Sequence, residues 1–375
     1  MELIPLLQTL VAIDSTSSRP NGPVLDLLEP LMRSIGFATR RIDWIDDEGV
    51  PKGDLVCRRG PDQPGGLALV GHIDCVPYDF EWKEALSGNI RDGRLYGRGS
   101  ADTKGSVAAM VYAASRVRAA RAPLTVLFTS DEEAGCWGAK KLVDDGQVRP
   151  RWAIVGEPTC LVPVRAHKGY CAVDVEVTGS EAHSSYPDAG ASAIQAAAKL
   201  LGQIEQIEQE LSADADALFT PPHTTFNVGM IQGGKARNII PGSCSFTLEW
   251  RPIPSQEPEQ ALRLFDAAAA RLAASSDGRI RVTRTPLRLD KAAVTPADAE
   301  IVRFLERESG NPSRSVPFGT ELPELIDMGA EGCVFGPGDI KVAHRTGEFI
   351  ELAELERGVG ILERAIERFC GAPSA

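Results

Sequence analysis

The sequence predicts an α/β chain with a small α+β domain inserted into it. Two observations carry this. Apolar strand candidates without strict alternation, separated by helices, read as a mostly parallel sheet covered on both faces. After Gly169 the pattern changes to clean alternation: in "YCAVDVEVTG", Cys171, Val173, Val175 and Val177 fall on one face and Asp174 and Glu176 on the other, as in a half-solvated strand.

Each element follows in turn. Residues 1–12 and 23–35 predict helices, the second starting near Pro23 and stopping at Gly36. Strands are expected at 54–58 and at 67–72, "LALVGH". A small-residue helix is expected over 104–120, a strand over 124–129, a helix over 137–145 and a strand over 152–155. Beyond the alternating strand come a helix at 190–212, strands at 224–232 and 243–251, a helix at 257–275 and a strand at 279–284. That order is β-α-β-β-α-β, the split βαβ or ferredoxin-like arrangement. The mixed α/β character returns with a helix at 296–308, a strand at 332–335 and an amphipathic helix at 351–369. The expected division is therefore 1–168 and 287–375 for the larger domain and 169–286 for the insert.

The 375 residues are 43% hydrophobic, enough for a sizeable core. A net charge of -12 argues against nucleic acid or an anionic membrane as the main partner, because phosphate binding needs a basic patch. No apolar run approaches the roughly 18 residues of a membrane span. The N-terminus carries Glu2 and no basic n-region, so it reads as a helix, not a signal peptide. A cytoplasmic protein is expected. The eight cysteines are scattered without a C-x-x-C pair and are expected to be reduced and mostly buried, which disfavours zinc–thiolate chemistry.

The candidate chemistry sits at strand ends. His72 closes a buried strand, where ligands bind in open α/β sheets, and Asp74 follows at the spacing that can take its ring N–H. Asp102 stands where a nucleotide loop would need glycine, and an acid there would repel a pyrophosphate. It reads equally as a helix N-cap. Glu132 and Glu133 follow the strand 124–129. Neighbours in extended chain point apart, so one can serve as a metal ligand and the other as a general base. Glu157 ends the strand 152–155, and His344 lies in a glycine-rich loop after 332–335. A turn histidine or a solvated acidic turn would explain any one of these alone. Together they describe ligands converging on one sheet edge. Histidines and carboxylates without cysteine suit Zn²⁺, with Co²⁺ or Mn²⁺ as alternatives.

Five ordered motifs, "GHIDCVP", "YGRGSADTKG", "TSDEEAG", "VGEPT" and "AHRTGE", resemble the dinuclear-zinc M20 metallopeptidase and deacylase family. The resemblance covers essentially the whole chain. It implies a zinc-exopeptidase-like catalytic domain and an inserted lid that also forms a homodimer. By position it implies that His72, Asp102 and Glu157 hold one divalent cation and Asp102, Glu133 and His344 a second. Glu132 matches the general base and Asp74 the acid that orients His72. His183 in "AHSSYPDAG" matches a histidine that reaches the partner's active site. Asn238 and Arg251 match residues that bind the substrate carboxylate, and Thr320 in "FGTELPEL" one that lines the pocket. Glu157, where aminopeptidases of the family carry Asp, points to a deacylase or carboxypeptidase.

Within the family the wording resembles enzymes that hydrolyse N-acetylornithine, with succinyl-diaminopimelate desuccinylases nearest. A small N-acyl amino acid is thus the implied substrate. Leu322, where alanine is usual, leaves the amine open. So do broader aminoacylase or carboxypeptidase activities, and a non-catalytic binding protein on the same fold.

Overall fold

The structure is a computed structural model that describes residues 1–117 and 121–371. Residues 118–120 of the expected helix 104–120 lie outside the described residues. The chain forms two compact units. One comprises Met1–Arg165, Thr295–Arg314 and Thr320–Ala375; the other comprises Ala166–Val294 and Ser315–Gly319.

In the first unit six strands run side by side in the order Ala38–Ile45, Pro51–Arg59, Leu124–Thr129, Leu67–His72, Trp152–Val155 and Glu331–Val334. The last four are mutually parallel. Every residue of Leu67–His72 and Leu124–Thr129 is buried, which is why neither alternates. The helices Leu3–Ala12, Lys104–Arg116 and Leu352–Cys370 contribute to the core around them. Small residues let the Lys104–Arg116 helix lie close to the sheet: a Cβ on Gly156 would come within 2.7 Å of the Ser106 Cβ.

The strand Ala38–Ile45 was not expected. It is half exposed, charged and without an apolar run, as befits the edge of a sheet. It is held by antiparallel pairing to Pro51–Arg59 and by ion pairs of Arg40 with Asp145 and Arg41 with Glu29, both at 2.6 Å.

The second unit holds a four-stranded antiparallel sheet in the order Thr225–Gly233, Ser243–Arg251, Tyr170–Thr178 and Arg281–Asp290. The helices Ala193–Leu211 and Pro258–Ala274 pack on the face that carries Cys171, Val173, Val175 and Val177. The last strand continues to Asp290, well past the expected 284. Pro286 hides this in the sequence, since it has no ladder N–H, and a register shift between Pro286 and Arg288 accommodates it.

Candidate metal centre

The parallel strands bring their carboxyl ends to one edge of the sheet. His72 pairs with Thr129 across the ladder, and Val70 pairs with Val155. The residues just beyond these strands therefore meet. Asp102 joins them from the turn before the Lys104–Arg116 helix, and His344 from the loop after Glu331–Val334, where its φ is +58°.

Asp102 is the common member. Its Oδ1 lies 3.1 Å from His72 Nε2 and its Oδ2 3.3 Å from His344 Nε2. His72 Nε2 is also 3.8 Å from Glu157 Oε1, and His344 Nε2 is 3.0 Å from Glu133 Oε1. Two ligand groups result, His72–Asp102–Glu157 and Asp102–Glu133–His344, each with its donor atoms within 4.8 Å of one another. One carboxylate thus offers a different oxygen to each group. A third group, His72–Glu132–Glu133, satisfies the same distance.

Supporting residues fix these positions. His72 Nδ1 lies 3.1 Å from the Asp74 carbonyl oxygen and 3.4 Å from its carboxylate. A proton on Nδ1 leaves the Nε2 lone pair facing the carboxylates, the tautomer a metal ligand needs. Asp74 does more than orient His72. Its two oxygens accept from the backbone N–H groups of Glu132 and Glu133 at 3.1 and 3.2 Å, and the Ser17 hydroxyl donates to it at 2.9 Å. One buried acid therefore fixes both the histidine and the acidic turn. The Cys136 Sγ adds a donor 3.6 Å from Glu132 Oε1. Behind Asp102, Glu348 Oε1 accepts from the N–H groups of Ala101 and Asp102 at 3.0 and 3.1 Å, while its other oxygen pairs with Arg98 at 2.5 Å.

Asp131, which has no evident role in the sequence, has one here. At φ +52° it turns the chain, and its carboxylate meets the fully buried Lys52 Nζ at 2.7 Å. Lys52, Arg98 and Ser17 carry no local signal in the sequence, because the partner of each lies far along the chain.

Crowding sets the electrostatics. Burial and the neighbouring Asp102 raise Glu133 to about 7, and the same two causes raise Glu157 well above the usual carboxylate range. Burial works against the Asp102 charge, but hydrogen bonds from His344 and His72 outweigh it and lower the carboxyl below its ordinary value. Hydrogen bonds to Asp102 and Glu133 raise His344 to about 10. Such a cluster gains from added positive charge. Its donors are imidazole nitrogens and carboxylate oxygens. The nearby Cys75 thiol is pushed up to about 11 by burial and stays a thiol. That donor set fits hard or borderline divalent cations.

The other expected residues are placed as follows. Thr320 is buried, and its hydroxyl accepts from the Leu322 N–H at 3.2 Å. In the second unit His183 and Asn238 are neighbours: the Ala182–His183 strand pairs with Ile239–Ile240, and the Asn238 carbonyl accepts from the Ser184 N–H at 3.1 Å. Arg251 ends a strand of the four-stranded sheet.

The model of "Peptidase family M20/M25/M40" matches residues 68–368. Over 371 residues the chain is 50% identical to the acetylornithine deacetylase of Myxococcus xanthus, covering 97% of each. It is 32% identical over 369 residues to that of Pasteurella multocida, covering 96% of this chain and 95% of the relative. Among solved structures, a tripeptidase from Staphylococcus aureus gives a TM-score of 0.78 at 20% identity over 98% of this chain and 97% of its own. An M20 family metallo-carboxypeptidase from Sulfolobus solfataricus gives 0.76 at 16% identity over 98% and 99%. These two likenesses carry the fold. With the family model spanning most of the chain and a full-length relative at half identity, the chain belongs to peptidase family M20/M25/M40.

Proposed function

We propose that this chain hydrolyses the amide of N-acetyl-L-ornithine, releasing acetate and ornithine for arginine synthesis. The observation that carries the reading is the pair of ligand groups sharing Asp102 beside Glu132 and Glu133, in a chain half identical to an acetylornithine deacetylase. His72, Asp102 and Glu157 would hold one cation and Asp102, Glu133 and His344 the other, zinc being favoured over cobalt or manganese. When bound, the cations supply positive charge that acidifies water and polarises the amide carbonyl.

Glu132 takes the proton from the attacking water and returns it to the leaving nitrogen, so one water is consumed per amide cleaved. Asp74 holds Glu132 and Glu133 through their backbone and keeps His72 in its tautomer. Arg251 pairs with the substrate α-carboxylate, for which its planar fork is suited, with Asn238 and Thr320 as further substrate residues. His183 serves the partner subunit of a homodimer as a donor to the developing oxyanion. The edge strand Thr225–Gly233, with Met230 and Ile231 exposed, supports assembly through the second unit. A cytoplasmic setting fits the eight free cysteines.

The test is a side-by-side assay of zinc-loaded protein on N-acetylornithine, succinyl-diaminopimelate and N-acetylmethionine. N-acetylornithine should give the highest kcat/KM by about tenfold or more. A higher value for either competitor overturns the substrate assignment.

A further inference from the structure

Arg251 rests on an aromatic ring. Tyr170 begins the strand Tyr170–Thr178, whose Cys171, Val173, Val175 and Val177 face the helices. Alternation therefore sends Tyr170 to the face away from the helices. The ladder pairs Trp250 with Cys171 and Asp290 with Tyr170, which brings Arg251 from one neighbouring strand and Arg288 from the other to that same face. The Arg251 guanidinium carbon lies 3.5 Å from the Tyr170 ring centroid, and that of Arg288 lies 4.8 Å away. Each arginine also has its own acid. Arg251 Nε donates to Glu249 Oε1 at 2.8 Å, and Arg288 Nε donates to Asp290.

With its Nε engaged and one flat side stacked, Arg251 keeps one binding edge. Its two terminal nitrogens donate no hydrogen bond among the described residues, and its side chain is 25% exposed. Two parallel N–H donors in a fixed plane match a carboxylate. An unrestrained arginine would have to give up its rotamer freedom on binding; one already stacked has given it up in folding.

We propose that Tyr170 is a positioning residue for carboxylate recognition. Its ring fixes the plane of the Arg251 guanidinium, so that the terminal nitrogens meet the α-carboxylate of the N-acyl amino acid as a bidentate pair. The ring does this by its face, not its hydroxyl. The inference rests on the reading that Arg251 binds the substrate carboxylate.

Steady-state kinetics of the zinc-loaded full chain test it with two substrates: N-acetyl-L-ornithine and N-acetylputrescine, the same amide without the carboxylate. Tyr170→Leu should raise KM for N-acetylornithine about tenfold with kcat within about twofold, as expected for a lost cation–π contact that acts on binding. Tyr170→Phe should stay within about twofold in KM. The Tyr170→Leu penalty should vanish on N-acetylputrescine, which a general loss of packing would not permit. Should Tyr170→Leu fail to fold, Tyr170→Met makes the same comparison.

Arg251→Ala separates the two readings. If it leaves KM unchanged, the carboxylate role of Arg251 falls and the inference with it. If it raises KM while Tyr170→Leu does not, Arg251 stands and the Tyr170 role is overturned. The Tyr170 role also falls if the Tyr170→Leu penalty persists on N-acetylputrescine, or if Tyr170→Phe loses as much as Tyr170→Leu.

Discussion

The two sheets put their charged residues in opposite places. In the second unit Asp174 and Glu176 alternate with Val173, Val175 and Val177 and face solvent. The strand period alone accounts for them. In the first unit the candidate ligands stand just at or beyond the carboxyl ends of buried strands, or in the turns beside them. There His72, Asp102 and Glu157 are only 1%, 6% and 5% exposed. Charge that water cannot solvate must be answered by other charge. The contrast separates two kinds of carboxylate: those a fold can carry for solubility, and those that need partners and so point to chemistry.

Substitutions tell the two kinds of charge apart. Glu132→Gln should lower kcat about a thousandfold while both cations stay bound, measured as turnover against metal content. Near-normal turnover would remove Glu132 from the base role.

Lys52→Met should destabilise the fold by about 3–5 kcal/mol, because it leaves Asp131 buried without its cation. Adding Asp131→Asn should recover most of that loss. An unchanged denaturation midpoint in the single variant would show that interior charge here is answered in some other way.

Metal affinity should weaken on acidification. Cations take the deprotonated ligands, so every proton to be displaced costs tenfold in affinity per pH unit. His344, at about 10, must give up its proton throughout the neutral range, and so must His72, which burial works to lower but the hydrogen bonds of Asp102 and Asp74 raise well above its ordinary value; Glu133, at about 7, adds another below that value. The apparent Kd should thus rise at least tenfold per unit near pH 8 and more steeply below 7, as read by chelator competition. A flat profile would contradict the crowding described above.

The smallest effect belongs to the second unit. Lys235 and Glu181 pair at 2.8 Å but are 68% and 45% exposed. Lys235→Ala should change stability by less than about 0.5 kcal/mol, and a large loss would erase the distinction between the two regions.

The same difference decides which residues are legible in the sequence. An acid or histidine directly after an apolar run is a local signal, so His72, Glu132, Glu133 and Glu157 stand out in the sequence. Asp102 and His344 lie in loops; the residue pattern leaves Asp102 open to an N-cap reading, and only the ordered motifs assign it. The split βαβ order was legible because alternation and helical periods are local too. What escaped was long-range. Lys52 and Asp131 are 79 residues apart, and Arg98 and Glu348 are 250 apart. The strand Ala38–Ile45 escaped because its pairing and its ion pairs, not its own hydrophobicity, hold it in the sheet.

The clamp on Asp102 has a consequence in time. The N–H groups of Ala101 and Asp102 depend on Glu348, and the second imidazole is His344. A growing chain will have made His72, Asp102, the acidic turn and Glu157, and the whole second unit, before either residue leaves the ribosome. Until then it carries an incomplete cluster of buried acids. The second ligand group, Asp102–Glu133–His344, is thereby reserved for a nearly finished chain, and a product broken off earlier should compete less well for divalent cations.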